Sequence, residues 1–370
     1  MSIYAHLAEI PLVDNHAHPV MELPGEDFDQ VFPTLFCEGD LRPADARHTV
    51  HYRRVLRFLA DHFEGESESE LLAARRHVNL KEFTEELIDK SGTAAILADD
   101  GYPDTSPQEF RSYTTADVFP ILRLEPIIEA LLPEVKRLDA LTAKFESRVK
   151  AALAGEYVGL KSIAAYRCGL DIAGPDEAES TVSAEFDDIR ERFNGRVENR
   201  ALISYCLHRA SDIAADHGAP VQLHTGFGDA DAHPEYVNPV YLSEYIESHP
   251  DTPVVILHGG YPYVQTAGYV ASTFPNSYLD LSLANPFIQH GVEGMFREAL
   301  ETVPSSKLLY GSDAFTTPEM YPMAATRART DLATVLDNLV ADGYYTRDYA
   351  LEVAEMILRD NAIELYDLPL

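Results

Sequence analysis

A chain of 370 residues, 46% of them hydrophobic, can bury one large core, and an α/β barrel of this length commonly forms one domain. Its formal charge of −32 sets it against nucleic acid and anionic membrane, because the field of the whole molecule repels polyanions. Three cysteines, Cys37, Cys168 and Cys206, are odd in number and far apart, so they indicate neither a disulfide framework nor a thiolate zinc site.

The first residues contain no basic start followed by an apolar core, and no stretch reaches membrane-spanning length. A cytoplasmic protein acting on a small molecule, with no membrane or nucleic-acid partner, is expected; whether it forms a homo-oligomer stays open. The first strand-like run, "PLVDNHAHPV" at residues 11–20, ends on His16 and His18. Residues two apart in a strand face the same side, so both imidazoles can reach one ion. Nothing strand-like follows until Thr93, too long an interval for an ordinary loop. Helical patterns fill it: Val50 to Phe63, a capping box at Ser67–Glu70 opening "LLAARRHV", and Asn79 opening a run that stops at Gly92. A helical insertion over about residues 20–92 is therefore predicted within a single domain spanning 1–370.

Further apolar runs suit buried strands: "TAAILA" from Thr93, "VFPILRL" from Val118, "YVGLKSI" from Tyr157, "PVQLH" from Pro220, "PVVILH" from Pro253, "SYLDLS" from Ser277 and "KLLYGS" from Lys307. With the first they number eight, enough to close a barrel. Helical spacing over Arg200 to His217 and Leu242 to Ser248 precedes two of them, and Asp331 to Leu365 supplies closing helices. Such alternation predicts parallel strands joined by crossover helices, a (β/α)₈ TIM barrel with a helical insertion after the first strand.

In such a barrel the chemistry sits where the strands end. His16 and His18 finish the first run, Lys161 lies late in the fourth, His224 and His258 finish the fifth and sixth, and Asp313 follows the eighth in "YGSDA". A lone His-x-His pair is weak evidence, since a strand-ending histidine is usually packed and hydrogen-bonded. Four histidines and an aspartate at one barrel mouth make a different case. Imidazoles plus a carboxylate suit zinc and other borderline divalent ions, one or two of them, with manganese or iron as alternatives.

These segments resemble the amidohydrolase superfamily of metal-dependent hydrolases: "DNHAHP" its first-strand signature, "LKSIAAYR" its fourth-strand lysine, "QLHTG" and "ILHGGYP" its fifth- and sixth-strand histidines, "YGSDA" its eighth-strand aspartate. Within it, "KSIAAYRCGL" and "LHGGYPY" look closest to an amidohydrolase-related branch, nodulin-like in part, whose members are fused or linked to glutamine synthetase-like domains. The resemblance implies that His16, His18, His224 and Asp313 are primary metal ligands, and that Asp313 also takes the proton from the attacking water. His258 matches either a second-metal ligand or a residue that polarises substrate. For Lys161 three readings stand: a carbamylated bridge between two ions, a contact to a substrate carboxylate, or a structural ion-pair partner. Arg123 and Arg167 are candidate contacts for a substrate carboxylate, with an Arg–Glu pair to a neighbour such as Glu125 as the competing role. The implied reaction is hydrolysis of a C–N bond in a small, carboxylate-bearing substrate. A metal-dependent decarboxylase, a sugar-acid isomerase and a non-catalytic metal-binding barrel are the rivals.

Overall fold

The computed structural model describes residues 2–23 and 25–370. Eight parallel strands hydrogen-bond in chain order: β1 (Leu12–Ala17), β2 (Thr93–Asp99), β3 (Asp117–Arg123), β4 (Gly159–Ser162), β5 (Val221–Leu223), β6 (Val254–Ile256), β7 (Ser277–Asp280) and β8 (Leu308–Leu309). Asn15 N donates to Tyr310 O at 3.0 Å, and Asp313 N donates to His16 O at 2.8 Å. The residues after β8 thus run along β1 and join the ends of the sheet. The barrel predicted from the sequence is the fold observed. The eighth run is shorter than its apolar pattern suggests: only Leu308 and Leu309 form strand, and "YGSDA" continues as coil.

Alternation along β2 shows how the core is divided. Ala95 and Leu97 join Val13, Ile121, Val255 and Leu309 in one cluster, which also takes in Ala362, Tyr366 and Leu368 from the C-terminal segment. Tyr366 stands against Gly159 at the start of β4, and its hydroxyl accepts from Gln222 Nε2 at 2.8 Å. The C-terminal segment therefore stoppers the end where the strands begin. Chemistry is left to the other end.

Ile96 and Ala98, of opposite parity, belong to a second cluster with residues of the insertion. After α1 (Ile3–Leu7), the insertion comprises α2 (Phe28–Thr34), α3 (Pro43–Ala46), α4 (Val50–His62), α5 (Glu68–Arg76) and α6 (Leu80–Ser91). The local signals in the sequence mark their ends. Thr49 caps α4, the Ser67–Glu70 capping box opens α5, Asn79 caps α6, and Gly92 ends it in the left-handed region at φ 68°. Phe32, Phe36, Tyr52 and Leu59 bury the inner face of the insertion against Met320 and Tyr321. The buried guanidinium of Arg75 on α5 pairs with Glu319 and lies over the rings of Phe32 and Phe83. The insertion is thus fixed to the barrel. No helix among the described residues is long and apolar enough to cross a membrane.

Candidate metal centre and active-site cavity

His16 and His18 leave the end of β1 beside Asp313, and their Nε2 atoms stand 3.1 and 3.2 Å from Asp313 Oδ1. Lys161 Nζ at the end of β4 is 3.0 Å from His16 Nε2. His224 and His258, just past β5 and β6, bring Nδ1 and Nε2 to 2.9 Å from each other. All six side chains singled out from the sequence line one cavity of ≈ 610 Å³, and all six residues are buried. Two overlapping groups place three ligand atoms close enough to share an ion: His16, His258 and Asp313, and His16, His18 and Asp99.

The hydrogen bonds behind the imidazoles fix where their protons sit. Ser282 Oγ donates to Asp280, so it can only accept from His258 Nδ1, 3.0 Å away. His258 Nε2 therefore carries a lone pair. Phe227 O accepts from His224 Nε2 at 3.1 Å, so His224 Nδ1 also presents a lone pair, and Tyr102 O accepts from His18 Nδ1 at 2.9 Å, which turns Nε2 toward Asp313. Burial, reinforced by Lys161, holds His224 well below the ordinary histidine range; burial also holds His258 well below it and His16 down at about 4. His224 and His258, both neutral, face one another at 2.9 Å with no proton between Nδ1 and Nε2. Asp313 Oδ1 is buried without a hydrogen-bond partner. Electron pairs packed at these distances fit a divalent cation, and the donor set is that of a metal centre.

Beneath the cluster a second layer of carboxylates holds the backbone. Asp14 accepts from Ser312 N at 2.8 Å and Ser312 Oγ at 2.5 Å, pinning the "YGSDA" turn to β1. Asp280 accepts from Asn15 Nδ2 at 3.0 Å and from His258 N at 3.2 Å. Asp313 and His258 both have positive φ, 50° and 67°, strain that such bonds can hold in place.

Gly226, at φ 73°, lets the loop after β5 pass the loop after β6. A Cβ there would lie 2.3 Å from Tyr261 O and 2.6 Å from the Gly260 carbonyl carbon. Gly226→Ala is expected to destabilise the fold by about 2–4 kcal/mol and to displace the Phe227 carbonyl that orients His224. Chemical denaturation checks the first effect, and metal content of the purified variant the second.

The arginines behave less simply. Arg123 lines the cavity, but Nε and Nη2 both donate to Asp99 Oδ2, at 3.1 and 2.7 Å. Its partner is thus Asp99 and not Glu125, which is buried and accepts from Ser162 Oγ at 2.6 Å and Ile163 N at 2.9 Å, fixing the end of β4. Arg167 also lines the cavity, 3.4 Å from Glu129, and its Nε is buried and unpaired. Tyr102 and Tyr166 reach the cavity, the latter with its ring 4.3 Å from that of His224. Phe227 and Tyr261 instead pack on each other, and the hydroxyl of Tyr263 donates to Pro234 O. Asp99 and Glu38 are absent from the sequence reading. The alternation Ala95–Leu97–Asp99 in β2 could have placed Asp99 inside; Glu38, in the irregular part of the insertion, leaves no periodic signal.

A (β/α)₈ barrel with His/His/Asp groups gathered in a mouth cavity defines a metal-dependent enzyme of the hydrolase class. A family model described as "Amidohydrolase" matches residues 174–368, and the chain belongs to that family. Protein fluG of Emericella nidulans is 29% identical over 409 residues, covering 100% of this chain and 47% of that protein; the chain spans about half the length of this curated relative. A solved structure from Lactobacillus casei, described as a candidate metal-dependent hydrolase, superimposes with TM-score 0.89 at 28% identity over 99% of this chain and 97% of its own. A uronate isomerase from Bacillus halodurans shares the fold, with TM-score 0.68 at 12% identity over 99% of this chain and 95% of that one.

Proposed function

We propose that the protein hydrolyses a C–N bond of the amide type in a small, carboxylate-bearing substrate, and that residues 1–370 act as one catalytic unit whose insertion over 20–92 walls the cavity. The observation that supports this most is the facing lone pairs of His224 Nδ1 and His258 Nε2 in a buried cluster that also brings His16 and His18 against Asp313. His16, His18, His224 and Asp313 would hold a first ion, and His258, grouped with His16 and Asp313, would help hold a second or polarise the substrate, with zinc favoured by so many imidazoles. A bound ion would polarise the scissile carbonyl and acidify the attacking water.

The chain's own groups do the rest. Asp313 accepts the proton that water loses as its oxygen attacks the carbonyl carbon, and returns it to the nitrogen as the C–N bond breaks. Ser282 keeps the proton of His258 on Nδ1, so that Nε2 stays available. Arg167, which lines the cavity, offers a guanidinium to a substrate carboxylate, and Arg123 holds Asp99 beside His16 and His18 while itself lining the cavity. The branch associated with glutamine synthetase-like domains is a further part of the proposal; more than half of the fluG protein lies outside the match, as an additional domain would require.

Metal-loaded protein offered a panel of small N-acyl acids and lactones is expected to release an amine and an acid from the amides. Release of carbon dioxide from a carboxylated substrate, with the amides untouched, would overturn the hydrolase reading in favour of a lyase.

A further inference from the structure

The charges lining the cavity do not balance. Each arginine on its wall has an acidic partner: Arg123 pairs with Asp99, Arg196 with Asp231, and Arg167 approaches Glu129. Three acids on the same wall, Glu38, Asp40 and Asp229, have no ion pair and no side-chain hydrogen bond among the described residues. Asp40 and Asp229 are exposed at the rim, whereas Glu38 is set further in. These three come from two separate segments, the irregular stretch after α2 and the loop that follows β5. Their meeting is a product of the fold.

Carboxylates that share a cavity without counter-charges are costly, and Glu38 shows the cost: burial and the nearby Asp313 and Asp229 push it up to about 8. An ion bound in the metal centre would draw on Asp313 and leave Glu38 and Asp229 facing whatever else enters. The guanidinium of Arg167 lines the same cavity and suits the opposite charge.

We propose that the substrate is a zwitterion, whose ammonium group is received by Glu38 and Asp229 while its carboxylate is met by Arg167. This rests on the proposed carboxylate-bearing substrate and extends it. An ammonium entering beside Glu38 and Asp229 favours the ionised form of Glu38 and forms charge-assisted hydrogen bonds, which an uncharged analogue of the same shape cannot form. Glu38 belongs to the insertion, so the insertion determines specificity as well as enclosing the cavity.

Calorimetric titration of the zinc-loaded protein with butyrate, 2-aminobutyrate and 4-aminobutyrate tests the idea, since these acids differ only in the ammonium group. At least one amino acid should bind about tenfold or more tightly than butyrate, and Glu38→Gln and Asp229→Asn should each reduce that ratio about fivefold or more. Thermal denaturation of both variants establishes that they fold. Equal affinity for all three acids, or a preference unchanged in both folded variants, overturns the ammonium site and leaves the carboxylate reading standing. Failure of all three acids to bind a protein that still hydrolyses amides removes the carboxylate reading, and the zwitterion with it.

Discussion

Asp313→Asn is expected to lower kcat by about 10³-fold or more while the variant keeps most of its metal, because the carboxamide oxygen can still approach an ion but can no longer accept a proton. The geometry makes the two roles separable. Asp313 Oδ1 sits 3.1 and 3.2 Å from the imidazoles of His16 and His18, and its backbone N–H is tied to His16 O, so the isosteric amide should remain seated. The turn that carries it is held independently by Asp14 and Ser312. Turnover by the variant, measured with elemental analysis of the same preparation, decides the matter. Full activity would remove Asp313 from proton transfer, and loss of metal together with activity would reduce it to a ligand.

What the sequence discloses follows from how local each signal is. The Ser67–Glu70 capping box and the Gly92 stop each depend on a few neighbouring residues, and they stand in the structure where the pattern puts them. Strand-ending residues are legible because a parallel barrel turns eight separate apolar runs into one rim. His16, His18, Lys161, His224, His258 and Asp313 therefore gather in one cavity although they are spread over nearly 300 positions. Register across strands is less accessible. Arg123 could be matched to Glu125 nearby in sequence, yet β2 and β3 pair Asp99 with Ile121, which brings Arg123 alongside Asp99 and frees Glu125 to hold the end of β4. Glu38 was beyond reach for another reason: it belongs to a short irregular stretch whose position depends on Phe32 and Phe36 packing into the insertion core.

Lys161 gives the second large effect. Its Nζ lies 3.0 Å from His16 Nε2, where a donated proton occupies the lone pair that an ion would need. Burial lowers this amine to about 8, which eases its deprotonation. A neutral amine can combine with carbon dioxide, forming an N–C bond and releasing one proton, and the resulting carbamate is an anion beside His16 in place of a competing cation. Chelation should therefore reduce turnover by about 10³-fold or more and lower the melting temperature, since a ligand at about a thousand times its Kd contributes about 4 kcal/mol to the folded state. Zinc alone should restore the melting temperature in part, whereas zinc with bicarbonate should restore full turnover and the higher metal content per chain. Lys161→Ala should lose the bicarbonate response while still binding zinc through His16, His18, His224 and Asp313. If stoichiometry and turnover of the parent protein are the same with and without bicarbonate, Lys161 acts as a free amine, and its position beside His16 points instead to a contact with the substrate's carboxylate.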